Sequence, residues 1–148
     1  MTTRRQVLSH SAKVAGLLAS VGFLPSLAQA QGGAFNAAAF DAKTMAEAVK
    51  AFGAGAPAES KDITLTAPDI AESGAVVPIG VATTMANVKQ LMVLVEKNPS
   101  ALTASFGVTP AVEANFQTRV KMGQSSNVYA VAVTEDGKSF FAQNGVKV

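Results

Sequence analysis

The chain has 148 residues, of which 49% are hydrophobic and 15% charged, with 12 Lys and Arg against 10 Asp and Glu. It contains no cysteine, no tryptophan and a single histidine, His10. Within these residues the counts exclude disulfide bonds, thiolate metal sites and cysteine nucleophiles, so apolar packing must stabilise the core.

Residues 1–30 have the composition of an export signal. Arg4 and Arg5 form a charged start, a moderately apolar run covers residues 14–24, and Ala28 and Ala30 give the small residues that signal peptidase recognises. We interpret the segment as a twin-arginine signal, with an ordinary Sec signal that carries two arginines as the alternative. Glycine and proline interrupt the apolar run, which is too short for a membrane-spanning helix.

Removal of this signal changes the charge of the chain. Cleavage after Ala30 removes three of the 12 basic residues and none of the 10 acidic ones, so the mature charge is about −1. No cluster of Lys and Arg remains, which argues against nucleic acid or an anionic membrane as a partner. His10 is removed as well, which leaves no imidazole for a metal site or a catalytic triad.

A short helix is predicted near the start of the mature chain. Residues 31–40 are rich in Gly and Ala and predict a loose segment. Thr44 and Glu47 have the spacing of a capping box, and Gly53 is placed to end the helix. The apolar stripe between them has helical spacing: Met45, Ala48, Val49 and Phe52. We expect residues 31–60 to form this helix and a linker, followed by a domain over residues 61–148.

From residue 61 the hydrophobic period changes to two, which predicts β-strands. The expected strands cover residues 63–66, 75–84, 88–95, 102–106, 116–122, 128–134 and 138 onward. Pro78 predicts an edge or bulged position, because proline cannot donate to a ladder, and Asp136 with Gly137 predicts a type I′ turn. About seven short strands after one helix predict an all-β fold, an immunoglobulin-like antiparallel β-sandwich.

Two of these strands, residues 88–95 and 128–133, are apolar on both faces. A sandwich buries one face of each sheet, so the second face requires another cover. The N-terminal helix or a loop is one candidate. The other, which we favour, is a partner chain that contacts residues 91–95 and 128–133 near Tyr129 or Val131, because monomers rarely expose large apolar patches.

No catalytic, cofactor-binding or metal-binding constellation emerges from the mature chain. Asp62, Asp69 and Glu72 are too sparse for a calcium loop, and Ser73 and residues 125–126 have no base beside them. The methionines lie in apolar contexts that favour core packing over copper ligation: Met45, Met85, Met92 and Met122.

Three segments carry a family resemblance. The chain ends with Lys138-Ser-Phe-Phe-Ala-Gln-Asn-Gly-Val-Lys147-Val148, which predicts a strand still running at its last residue. Together with Ala67-Pro-Asp-Ile-Ala-Glu-Ser-Gly-Ala-Val-Val-Pro78 and Phe116-Gln-Thr-Arg-Val-Lys-Met122, it closely resembles the C-terminal region of SoxY, the sulfur-compound carrier of periplasmic thiosulfate oxidation. The resemblance covers most of the mature chain and implies the same β-sandwich.

The resemblance also implies where the chemistry lies. In the SoxY family the strand that matches Val146, Lys147 and Val148 continues into a Gly-Gly-Cys-Gly-Gly tail, whose cysteine holds the sulfur substrate covalently. These three residues are then the base of a C-terminal arm. Asn144 with Gly145 is either a plain turn or bulge in the last strand or an element that aims the strand outward. The tail itself is absent from the 148 residues.

The implied setting is the periplasm, without a cofactor. The implied partners are a second β-sandwich subunit, SoxZ, a c-type cytochrome that loads the carrier and a hydrolase that releases sulfate. Arg119 and Lys121, predicted on the outward face of their strand, either form a solvated face or attract anionic sulfur intermediates and acidic partner surfaces.

Two functions follow, and neither is an enzyme. The preferred one is a SoxY-like carrier subunit whose cysteine-bearing tail lies beyond Val148. The alternative is a non-catalytic periplasmic β-sandwich interaction subunit with no carrier thiol. A periplasmic hydrolase ranks below both, since the mature chain offers no nucleophile with a neighbouring base.

Overall fold

The computed structural model describes residues 4–20 and 35–148. The chain divides into two units, Met1–Phe35 and Asn36–Val148. The first contains helix α1 (Arg4–Ser20), on which Arg5 is exposed, while Ala28 and Ala30 of the predicted signal lie outside the described residues. None of the described helices is long and apolar enough to cross a membrane.

Two short helices begin the second unit, α2 (Ala37–Asp41) and α3 (Met45–Ala51). The expectation of a loose segment over residues 31–40 is wrong at its end, because the side chain of Asn36 accepts a hydrogen bond from the backbone N–H of Ala39 and caps α2. The capping box at α3 is confirmed. Thr44 Oγ1 accepts from Glu47 N at 3.2 Å, and Glu47 Oε2 accepts from Thr44 N at 3.3 Å.

Gly53 ends α3 as the sequence predicts. Its φ of 74° lies in the left-handed region, where a side chain would be strained. Gly53 N donates to Lys50 O and Ala54 N donates to Val49 O, the paired bonds of a Schellman motif.

The described residues form eight strands: β1 (Ala58–Glu59), β2 (Ile63–Thr66), β3 (Val77–Thr83), β4 (Val88–Val95), β5 (Leu102–Gly107), β6 (Asn115–Val120), β7 (Ser126–Thr134) and β8 (Ser139–Val146). They lie in a five-stranded sheet of order β1-β8-β7-β4-β5 and a three-stranded sheet of order β2-β3-β6. The pairing of β1 with β8 is parallel, and the other strand pairs are antiparallel. The predicted immunoglobulin-like β-sandwich is therefore confirmed.

Two local predictions need correction. Residues 53–60 are not only a connector, since β1 pairs with Phe140 and Phe141 of β8. Pro78 lies in the central strand of its sheet, but β2 ends opposite Gly80, so only β6 pairs with Pro78. The missing N–H of the proline therefore leaves no gap toward β2.

The turn between β7 and β8 is also different from the predicted type I′. That turn needs positive φ at both central residues, whereas only Gly137 has one, at 79°, and no described residue other than glycine does. Gly137 N donates to Thr134 O at 3.1 Å, and Thr134 N donates to Lys138 O at 2.9 Å. These bonds define a type I turn followed by a glycine bulge, for which a single left-handed residue suffices.

The inner core lies between the two sheets. Side chains that alternate along β3 and β6 face those of β4 and β7, as the period of two requires. The members of this core from these four strands that are at most 3% exposed are Val77, Ile79, Val81, Leu91, Val93, Val95, Val120, Val128, Ala130 and Ala132. Strands β5 and β6 are edge strands of the two sheets. Phe106 of β5 stacks on Phe116 of β6, with ring centroids 4.5 Å apart, and the two rings close the core at this edge.

A second, outer core covers the other face of the five-stranded sheet. Its buried members come from β4, β7, the start of β5 with the residue before it, and the two helices with the residue after α2: Met92, Leu94, Val131, Val133, Ala101, Leu102, Ala39, Ala42, Ala48 and Val49. The favoured prediction of a partner over this face is wrong for Val131, which is 0% exposed within the single chain. Tyr129 is half-buried and meets Phe141 edge to face. The strands are apolar on both faces because this chain supplies its own cover.

Candidate functional site at the end of the last strand

Strand β8 is an unbroken ladder that ends at Val146, so the prediction of a strand still running at Val148 is wrong. Its residues pair with β7 from Ser139 through Val146 without a register shift, and Val146 is buried in the inner core at 1% exposure. Asn144 and Gly145 pair with Val128 and Asn127, so they are neither a turn nor a bulge. The expectation that these two residues redirect the strand is therefore wrong.

Both backbone groups of Lys147, its N–H and its carbonyl, are hydrogen-bonded to the loop between β2 and β3. Its N–H donates to Asp69 O at 2.9 Å, and its carbonyl accepts from Ala71 N at 2.8 Å, which forms an isolated parallel bridge with Ile70. The exposed carboxylate of Asp69 takes no part in this bridge. The contact is independent of side chains, which explains why nothing in the sequence predicted it.

Val148 is held by a side chain from a different loop. Its N–H donates to Ser125 Oγ at 3.1 Å, and the same hydroxyl donates to Val148 O at 3.5 Å. A hydroxyl carries one donor and two acceptor lone pairs, so it can serve both groups. Ser125 therefore extends the fixed part of the chain by one residue beyond the bridge.

Gly74 packs against this terminal residue at close range. A Cβ at position 74 would lie 2.6 Å from Met122 O and 3.3 Å from Val148 Cβ, and Gly74 O accepts a hydrogen bond from Met122 N at 2.7 Å. A larger residue would therefore displace either the backbone after β6 or Val148 itself. We call the segment Asp69–Ala71, together with Gly74 and Ser125, the clamp.

The surroundings of the clamp are unusually apolar for a surface. Four large hydrophobic side chains are exposed among residues 36–148, and three of them are Ile70 at 73%, Val76 at 54% and Val148 at 44%. Ile70 and Val76 lie in the loop between β2 and β3 that contributes most of the clamp. Lys147 is exposed as well, so residues 147 and 148 are fixed but accessible.

A small cleft of about 260 Å³ lies beside this chain end, lined by Glu96, Lys97, Ser125, Ser126, Asn127, Gly145, Val146 and Lys147. Its polar groups bind one another: Ser126 Oγ accepts from Lys97 N at 3.1 Å, and Asn127 Nδ2 donates to Glu96 Oε2 at 3.3 Å. Ser125 is bonded to backbone atoms and not to a base. The arrangement therefore holds a chain end and offers no activated nucleophile.

The structure does not gather the other candidate residues at this site. Arg119 is exposed on the outward face of β6, where it lines a shallow groove of about 760 Å³ over the three-stranded sheet. Lys121 is exposed just beyond β6, and its carbonyl accepts from Asn98 Nδ2 at 2.7 Å. Both side chains fit the solvated-face interpretation of the sequence.

The carboxylates and methionines likewise form no site. Asp62, Asp69 and Glu72 are exposed, and the described residues contain no group of three His, Cys, Asp or Glu that could hold a metal ion. Met92 and Met122 are buried in the outer and inner cores, against which Met45 and Met85 pack while half-buried. The prediction that the methionines fill the core is confirmed.

Comparison with known proteins connects this geometry to a family. Residues 48–148 match the family model of the sulfur oxidation protein SoxY. The sulfur carrier protein SoxY from Chlorobium limicola f thiosulfatophilum is 34% identical, with a TM-score of 0.62, over 69% of this chain and 93% of that chain. No curated protein matches the chain.

A more distant likeness concerns the fold alone. The superoxide reductase (neelaredoxin) from Ignicoccus hospitalis is 15% identical, with a TM-score of 0.52, over 58% of this chain and 79% of that chain. The SoxY match, by contrast, spans all eight strands and every residue of the clamp, and the chain belongs to the SoxY family.

Proposed function

We propose that this protein is the carrier subunit of a periplasmic thiosulfate-oxidising system and holds sulfur intermediates on a cysteine that follows Val148. The observation that carries the proposal is the family match through residue 148. The exposed, fixed position of Lys147 and Val148 supports it, because a tail that continues from this point projects from the sandwich. Val146, Lys147 and Val148 are then the base of the arm.

The carrier chemistry explains why a thiol is required. Joining a thiolate to thiosulfate forms one S–S bond and releases two electrons, which the c-type cytochrome accepts. Hydrolysis of the terminal sulfonate then consumes water, releases sulfate with two protons, and leaves a persulfide on the carrier. The carrier presents the substrate to both enzymes and does not catalyse either step. Hydroxyl and amine side chains do not form such exchangeable S–S links.

The proposed assembly is a heterodimer with a SoxZ-like β-sandwich subunit. The outer core is already covered by α2 and α3, so this partner must use another surface. The outward face of the three-stranded sheet supports such a role, because it carries a groove of about 760 Å³ and because α2 and α3 pack against the other sheet.

Export by the twin-arginine route is a separate part of the proposal. Replacing Arg4→Lys and Arg5→Lys together should leave the precursor in the cytoplasm, because that route reads the paired arginines. Fractionation of cells that express the tagged precursor measures the result, with a Sec-dependent protein as the control. Normal maturation of the double variant would contradict the twin-arginine assignment.

The carrier function is tested by adding the thiol and loading it chemically. A carrier version has Gly-Gly-Cys-Gly-Gly appended to Val148. Its thiolate should attack tetrathionate, form one thiosulfonate adduct and release thiosulfate, a balanced exchange that needs no enzyme. Mass spectrometry should find one adduct on the carrier version and none on the 148-residue chain. With SoxZ-like subunit, c-type cytochrome and thiosulfate, only the carrier version should be loaded and should then release sulfate when the hydrolase is added.

The same experiment distinguishes the alternative. A carrier version that accepts the chemical adduct and pairs with its partner, yet is never loaded or hydrolysed by the enzymes, would overturn the carrier proposal. That outcome favours the non-catalytic interaction subunit. An enzyme-dependent sulfur adduct on the cysteine-free chain would also contradict the proposal, because no side chain in it supports the required S–S bond.

A further inference from the structure

We propose that the clamp sets the point at which the carrier arm becomes free, so that Ser125 and the loop of Asp69–Ala71 are positioning elements of the carrier reaction. This inference rests on the proposed function. In the clamped state the chain is fixed through Val148, and only the residues that follow it move toward a partner enzyme. The arm does not bend at Asn144 or Gly145, because both residues are paired with β7 inside the ladder.

The residues from Val146 to Val148 are attached one after another to different parts of the sandwich. Val146 is buried and paired with Ser126. The N–H and the carbonyl of Lys147 each make one hydrogen bond to the loop of Asp69–Ala71, at 2.9 and 2.8 Å. Val148 is bonded to Ser125. Three successive residues are thus held by three different partners: a strand, a loop and a side chain.

The clamp is itself anchored to the sandwich. Asn144 Nδ2 donates to Ala67 O at 3.3 Å, which joins the loop to the strand that it holds. At the other end of the loop, Gly74 O accepts from Met122 N just beyond β6. The loop is thereby connected to both sheets, so residues 147 and 148 are fixed relative to the whole sandwich.

Attachment of Lys147 and Val148 limits the reach of the arm. An extended residue spans at most about 3.6 Å, so release of Val148 alone lengthens a free arm by roughly one such unit, and release of Lys147 adds a second. A fixed base also leaves fewer residues to be ordered when the arm enters a partner site. The clamp therefore shortens the reach of the arm and gives the arm a defined starting point at Val148.

Ser125→Ala isolates the clamp hydroxyl, and Ser73→Ala is the matched control. Ser73 Oγ accepts from Ala75 N in the loop between β2 and β3, and no hydrogen bond between Ser73 and Val148 is found among the described residues. In the carrier version, the Val148 amide should exchange with deuterium about tenfold faster or more after Ser125→Ala and should be unchanged by Ser73→Ala. A Val148 amide that already exchanges at the rate of an unstructured peptide in the parent would overturn the inference.

Loading of a shortened arm by the cytochrome is a second measurement. A residue that only stabilises the fold would not change it. The glycines between Val148 and the appended cysteine are removed one at a time until cytochrome-dependent loading falls about tenfold or more. Ser125→Ala should restore several-fold loading to this short arm, and Ser73→Ala should not. The same substitution should change loading little when the arm has its full length.

The outcomes separate the clamp from the carrier function. If the full-length arm is loaded but Ser125→Ala restores the short arm no better than Ser73→Ala, the clamp inference fails and the carrier function stands. A series in which no shortening reduces loading also contradicts the inference, since reach then does not matter. If the full-length arm is never loaded by the enzymes, the carrier function fails, and amide exchange alone decides whether the clamp holds Val148.

Discussion

The two sheets of the sandwich treat their outward faces in opposite ways. The five-stranded sheet turns large apolar side chains outward under α2 and α3, and Met92, Leu94 and Val131 are at most 1% exposed. The three-stranded sheet alternates apolar residues inward with polar or small ones outward, among them Gln117 and Arg119. A strand which is apolar on both faces therefore predicts a cover, and the cover can come from a few turns of helix in the same chain.

The strongest test of this comparison places a charge on each outward face. Val131→Lys should destabilise the fold by about 4 kcal/mol or more, because the ammonium would be buried without a partner. Gln117→Lys on the exposed face should stay within roughly 0.5 kcal/mol of the parent. Urea unfolding measures both free energies. If Val131→Lys unfolds at the same urea concentration as Gln117→Lys, α2 and α3 do not cover the sheet in solution.

Removing apolar volume from beneath the helices should have the next largest effect. Leu94→Ala should reduce the free energy of unfolding by between about 2 and 5 kcal/mol, since it removes a transfer contribution and leaves a cavity. Val112→Ala is the control, because Val112 is 43% exposed. A loss below about 1 kcal/mol for Leu94→Ala would show that the outer core is loosely packed.

A smaller effect should come from the cap of the covering helix. Thr44→Ala removes the hydroxyl that accepts from Glu47 N and should cost about 1 kcal/mol. The loss should appear both as a lower free energy of unfolding and as faster amide exchange in α3. Ser60→Ala provides the comparison, since its hydroxyl caps only a turn after β1, where it accepts from Asp62 N. Equal exchange in α3 for the two variants would contradict a stabilising role for the capping box.

The smallest change is expected on the uncovered face. Arg119→Gln should leave the free energy of unfolding of the isolated chain within roughly 0.5 kcal/mol, because Arg119 is an exposed surface residue. A thermal or urea titration of both proteins in low and moderate salt is sufficient. A larger loss that disappears in salt would reveal an electrostatic contribution that the exposed position does not predict.

Much of the sandwich could be predicted because its signals are carried by side chains. The period of two located seven of the eight strands, and Thr44, Glu47 and Gly53 defined α3. The cover of the five-stranded sheet was ambiguous for a physical reason. Hydropathy shows that a face is apolar, but not which segment covers it, and α2 is too short for its periodicity to be recognised.

The candidate site was harder to predict than the fold. Resemblance drew attention to Val146, Lys147 and Val148, but the clamp that holds them depends on the carbonyl of Asp69 and the amide of Ala71, and every residue carries such groups. Gly74 is the one glycine of the loop between β2 and β3, and a glycine in a loop has many explanations. At the β7–β8 turn, Asp136-Gly137 signalled a hairpin correctly but not its type, because one left-handed residue satisfies more than one turn.

The parallel pairing of β1 with β8 has a mechanical consequence. The chain enters the pairing at Ala58 and leaves it after β8, and these two points lie at opposite ends of neighbouring parallel strands. Tension between the preceding linker and Val148 therefore acts along the strands, so the hydrogen bonds around β8 bear the load together. Tension across the open end of the β7–β8 hairpin would break its hydrogen bonds one after another. A force that a partner applies at Val148 therefore acts in the direction in which the sandwich resists unfolding better.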